Sequence, residues 1–134
     1  MTKDGPRIVE IGARSGGYRQ KMHLYAHGIN MYQNHLALLH QQPLCLEPLR
    51  DEPCAVLELF PKKPGGFKKL QYIEELEELK SLRYLSIRAQ PGDYVGKSGD
   101  GFKAVAVLML HNQNANTLYA DLEYVKKHVH VVTT

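Results

Sequence analysis

The stretch Arg7-Ile8-Val9-Glu10-Ile11-Gly12-Ala13-Arg14-Ser15-Gly16-Gly17 decides how the rest of the chain is read. A short apolar run carries one acid, Glu10. Arg14 follows four residues later, and a Ser-Gly-Gly turn closes the segment. Side chains alternate along a strand, so a strand over Ile8 to Ile11 puts Glu10, Gly12 and Arg14 on one face and Val9 and Ile11 on the other. The carboxylate and the guanidinium then stand at most about 13–14 Å apart, with a gap free of side chains between them. A carboxylate suits Mg²⁺, which takes hard oxygen ligands and shares its shell with phosphates. A guanidinium suits a phosphate or carboxylate, held bidentately. Gly16 and Gly17 let a ligand come close to backbone N–H groups. The segment reads as a phosphate–metal edge, although a lone Glu and Arg on a strand also fit a solvated face.

The 134 residues are enough for one domain, and a globular fold of this size buries roughly two-thirds of its unfolded surface. A composition of 43% hydrophobic and 23% charged residues is ordinary for a globular protein. The net charge of +3 is mild, and no basic stripe with interleaved aromatics appears, so no nucleic-acid partner is expected. Lys62, Lys63, Lys68 and Lys69 flank a Pro-Gly-Gly loop and read as its solvated rim. No apolar run of about 18 residues exists and the N-terminus is unlike a signal peptide, so neither a membrane span nor export is expected. Cys45 and Cys54 have no second pair to build a zinc site and read as reduced thiols, which points to the cytoplasm. His23 and His27 have i, i+4 spacing, but no neighbouring carboxylate completes a metal shell.

Along the chain, Asp4-Gly5 is a hairpin turn signal with only three residues before it. The expectation is a chain that starts just inside a hairpin, with an open edge near Ile8 to Ile11 and a homo-oligomer as one possible consequence. A short helix is expected over Tyr18 to His27, ended by Gly28. Asn30 caps a second, on which Ile29, Tyr32, Leu36 and Leu39 form one apolar face, and Pro43 stops it. Leu44 to Pro53 reads as a proline-punctuated linking loop. Strands are expected at Ala55 to Phe60, Phe67 to Tyr72, Tyr84 to Arg88 and Lys103 to Leu110, the last being the most apolar. Ile73, Leu76, Leu79 and Leu82 suggest a short amphipathic helix with acids early and Lys80 late. Asn114 caps a final helix with Leu118, Leu122, Val125 and Val129 on one face; Val129 to Val132 also fits an edge strand.

The segment Gly92 to Ser98 ends in Gly-Lys-Ser but does not make a P-loop. Only three residues separate Gly92 from Gly96-Lys97, and Gly99-Asp100-Gly101 prevents the helix that a P-loop must open.

The string RIVEIGARSGG resembles the last active-site strand of ATP-grasp ligases, whose pattern is apolar-Glu-x-Asn-x-Arg-x-Gly-Gly. Gly12 stands where Asn is commonest, which weakens one metal contact. The order of parts after it is similar to the C-terminal portion of the carboxylate–amine ligases of that superfamily, over nearly the whole chain. The resemblance implies an α+β fold: the C-terminal part of an ATP-grasp fold, a small antiparallel β-rich subdomain with flanking helices. Residues 1–43 would be the end of the catalytic domain and 44–134 the β-rich subdomain with its closing helix. It implies Glu10 as the Mg²⁺ ligand, Arg14 as the catalytic and phosphate-binding residue, and Ser15, Gly16 and Gly17 as further phosphate or substrate contacts. ATP and Mg²⁺ are the implied cofactors, and small carboxylates and amines the implied substrates, joined through an acyl phosphate.

The family's upstream lysine-bearing strands, lid and second metal carboxylate are absent from this sequence. The expectation is a fragment, inactive alone, whose partner is the N-terminal ATP-grasp portion. It is compatible with an isolated domain, a shortened reading frame or one piece of a split enzyme. The competing class is a non-catalytic structural or interaction module, in which Glu10 and Arg14 are a surface ion pair.

Overall fold

A computed structural model describes residues 3, 5 and 16–134. Two helices come first, α1 (Arg19–His27) and α2 (Met31–Leu39). Strands β1 (Cys54–Leu59) and β2 (Gly65–Gln71), helix α3 (Ile73–Glu77), and strands β3 (Leu82–Ile87) and β4 (Tyr94–Val95) follow. A 3₁₀ turn at Ser98–Asp100, strand β5 (Ala106–His111), helix α4 (Ala115–His128) and strand β6 (His130–Thr133) complete the order.

The strands form two antiparallel three-stranded sheets, ordered β1-β5-β3 and β4-β2-β6. This is the α+β architecture with a small antiparallel β-rich body and flanking helices. β5 is central because its sequence, AVLMLH, offers apolar side chains to both faces, and every residue in it is buried. Leu108 and Leu110 pack with Leu76, Leu118, Val125 and Val129, so α3 and α4 cover one face. His111, on the opposite parity, stacks on Tyr25 of α1. Ala106, at the start of β5, joins Phe67, Leu70, Val95, Val105 and Val131 in a second cluster, between the sheets.

Local chemistry sets the ends. Gly28, in the left-handed region at φ 73°, closes α1. The Asn30 side chain accepts the N–H groups of Tyr32 and Gln33, and the Asn114 side chain those of Asn116 and Thr117. α2 ends with the Gln42 N–H donating to Ala37 and that of Gln41 to Leu38, a Schellman arrangement that puts Gln41 at φ 54°. β6 is an edge strand, so the strand reading of the C-terminus holds.

One expectation changes. The helix expected from Ile73 to Leu82 stops at Glu77: the Leu79 and Leu82 amides bond three residues back, and Leu82 already belongs to β3. Residues 44–53 form the expected loop, and it lies along α1 and α2. The Cys45 N–H donates to the Asn34 side chain at 2.9 Å, and the Asn34 amide returns a bond to the Cys45 carbonyl at 2.8 Å. Leu49 and Glu52 donate to the His27 and Ala26 carbonyls, and the Arg50 guanidinium donates to Leu24 and Tyr25. Among the described residues, no helix is long and apolar enough to cross a membrane.

Candidate functional site

Glu10, Arg14 and Ser15 lie outside the described residues, so the geometry expected between the carboxylate and the guanidinium belongs to no described part of the fold. Gly16 and Gly17 are described. They form the turn that delivers the chain into α1, and the Gly16 carbonyl accepts the Arg19 N–H at 3.0 Å. Gly17 sits at φ 29°, where a side chain is disfavoured. A side chain at Gly16 would collide with the guanidinium of Arg19, which folds back across it. Gly16 therefore leaves room for the Arg19 side chain.

The start of α1 is unusual for a helix N-terminus. Among the described residues no side chain caps it, and no acid stands in its first turn. Arg19 and Lys21 stand there instead, where the helix dipole favours negative charge. That combination disfavours the helix by itself and suits an anion placed before it. The described part of the motif thus fits a phosphate; the carboxylate for a metal would have to come from Glu10. Lys21 is held in place by the Tyr84 ring, with its ammonium 3.3 Å from the ring centre. The Tyr84 hydroxyl is shifted below its ordinary pKa, first by a hydrogen bond with Ser86 and then by the charges of Lys21 and Arg88.

Arg19 also opens a cleft of about 410 Å³ lined by Met22, His23, His27, Glu52 and Cys54. No sequence pattern singles out Glu52, which the strap of residues 44–53 carries to the end of β5. There it meets His111 Nε2 at 2.7 Å, with the Arg50 Nε 3.4 Å away. The opposite ring nitrogen of His111 is buried without a hydrogen-bond partner. Burial pushes the Cys54 thiol above its ordinary pKa, which makes it a poor nucleophile at neutral pH. Asp51 does approach His27, at 3.6 Å, although it is distant from His23 in sequence. Even so, among the described residues no three His, Cys, Asp or Glu side chains are grouped to hold a metal. Lys97 precedes a 3₁₀ turn and not an α-helix, in keeping with the rejection of the P-loop.

No protein-family model and no curated protein sequence matches the chain. Solved structures do. The chain is similar to the L-amino acid ligase from Bacillus licheniformis, with a TM-score of 0.79 and 17% identity, over 98% of this chain and 34% of that one. It is similar to phosphoribosylglycinamide synthetase from Anaerococcus prevotii (TM-score 0.65, 8% identity, 87% of this chain and 30% of that one). It is also similar to N5-carboxyaminoimidazole ribonucleotide synthetase from Thermotoga maritima (TM-score 0.58, 15% identity, 86% of this chain and 30% of that one). The chain thus spans about a third of the length of the solved structures it matches. Its fold is that of about a third of these structures, a partial ATP-grasp fold.

Proposed function

We propose that this chain is the C-terminal portion of an ATP-dependent carboxylate–amine ligase that works in the cytoplasm through an acyl phosphate. The observation that carries the reading is the match of 98% of the chain to a third of an L-amino acid ligase. In this reading residues 1–43 contribute the end of the catalytic domain, and residues 44–134 form the β-rich subdomain. Glu10 holds Mg²⁺, which neutralises the phosphoryl group being transferred from ATP. Arg14 binds the phosphate or the substrate carboxylate and stabilises the charge that develops on it. Ser15, Gly16 and Gly17 direct backbone N–H groups at the same anion. The start of α1, with no acid in its first turn and Arg19 beside Gly16, supports an anion in that place. The substrates are a small carboxylate and an amine, and the remaining two-thirds of the ligase, in the same chain or another, supplies the ATP pocket.

Phosphate release from ATP with a panel of amino acids as acceptors tests the proposal. The 134 residues alone should be inactive, because phosphoryl transfer needs several groups acting as a unit. Joined to or mixed with the rest of the ligase they should turn over, and Arg14→Ala should lower kcat by about 100-fold or more. Glu10→Gln should lose activity that excess Mg²⁺ partly restores. Turnover by the chain alone would overturn the fragment reading, full activity of the Glu10→Gln enzyme would overturn the site assignment, and no turnover by the assembled ligase would leave the non-catalytic module.

A further inference from the structure

α2 carries an apolar stripe that nothing described covers. Tyr32, Leu36 and Leu39 are 56%, 59% and 78% exposed. At about 100° per residue they fall within a wedge of about 60° on the helix, facing away from Asn34. Asn34 marks the face already in use, since it is buried and bonded both ways to Cys45. The helix is therefore held at Asn34 and bare in front, and Leu38, one turn on from Asn34, is exposed as well. Its Asn30 cap and Schellman end hold the stripe on a rigid element.

The surrounding composition is that of a buried surface. Residues 28–49 contain one formally charged side chain, Glu47, and no Lys or Arg. Solvated faces elsewhere are highly charged, as in Glu74-Glu75-Leu76-Glu77-Glu78. Loss of charge around apolar and aromatic anchors marks the centre of protein interfaces.

Resting on the ligase reading above, we infer that the Tyr32–Leu36–Leu39 face of α2 docks on an uncharged apolar surface of the ligase's remaining two-thirds. Two observations select that occupant over a second copy of this chain. The L-amino acid ligase continues over roughly two-thirds of its length beyond the part this chain matches. α2 lies one short turn beyond α1, whose start Gly16 and Gly17 enter, so a partner that completes a site at that start lies within reach of α2.

The test compares the isolated chain with the assembled ligase, in which this chain is joined to or co-expressed with its cognate remainder. Leu36→Cys and Leu39→Cys are labelled with a maleimide and read by peptide mass, with Tyr119→Cys on the exposed side of α4 as the reference. Labelling at 36 and 39 should slow about tenfold or more on assembly, with no change at 119. For a split ligase, Leu36→Glu should weaken association about thirtyfold or more while the isolated chain keeps its fold, because the position is exposed. Equal labelling in an assembled, active ligase would overturn the docking and leave the ligase reading standing. Shielding without turnover would keep the docking and count against the ligase reading. Shielding that grows with the concentration of the isolated chain would overturn the proposal in favour of a second copy.

Discussion

α2 and α4 begin in the same way and end differently. Each opens on an Asn whose side chain accepts two backbone N–H groups, and each carries apolar residues at intervals of three and four. On α4 the pattern is spent in the core, with Leu118 3% and Val125 0% exposed. On α2 the equivalent stripe faces outward, and the residue it buries is Asn34. Apolar periodicity marks the face a helix needs to bury and is silent about what buries it. α4 finds its cover in β5 and α3; α2 finds none among the described residues.

The sharpest break of this comparison is a pair of truncations in the isolated chain. Leu118→Ala should cost about 2–5 kcal/mol, because it empties a packed site between α4 and β5. Leu36→Ala should stay within about 0.5 kcal/mol. Urea unfolding of both variants measures the two, and a large loss at Leu36 would show that its stripe is already covered.

Removing the buried Asn34 comes next. Asn34→Leu should cost about 1–3 kcal/mol, since the N–H and C=O of Cys45 lose their partners in a half-buried setting. Amide exchange should then rise over residues 43–47 and not over α4. If residues 43–47 stayed protected, another contact would be holding them.

The caps sharpen the contrast. Asn114→Ala and Asn30→Ala remove the same two bonds and should each cost about 1 kcal/mol of helix stability. The first should appear in global unfolding, because α4 is part of the core. The second should appear mainly as local fraying of α2, followed by amide exchange.

The smallest effect belongs to Gln41. Its φ of 54° suits glycine, so Gln41→Gly should stabilise the chain by up to about 1 kcal/mol in thermal melts. A loss instead would mean that the glutamine side chain has a role its exposure does not suggest.

The order of helices and strands was legible in the sequence because periodicity and caps are local. Asn30, Gly28, Pro43 and Asn114 each act within a few residues. The all-apolar run of β5 announced a strand covered on both faces. Helix α3 was overread, because Leu79 and Leu82 keep helical spacing after the backbone has turned toward β3. The Glu52–His111 pair joins residues 59 apart, and no local pattern in either segment encodes it. Arg19 carries no local signal, because only the fold brings its guanidinium across Gly16. The string Glu10 to Ser15, on which the proposed site rests, lies outside the described residues.

The Asn34 side chain imitates a peptide group, giving and receiving one bond with Cys45 as a neighbouring strand would. The arrangement fixes the contour length of chain between the two residues. One residue added to or removed from positions 46–49 would put the Asn34–Cys45 pairing out of step with the Leu49–His27 bond. A segment whose prolines advertise a tolerant connector is thus a ruler, and it should accept changes of side chain far more readily than changes of length.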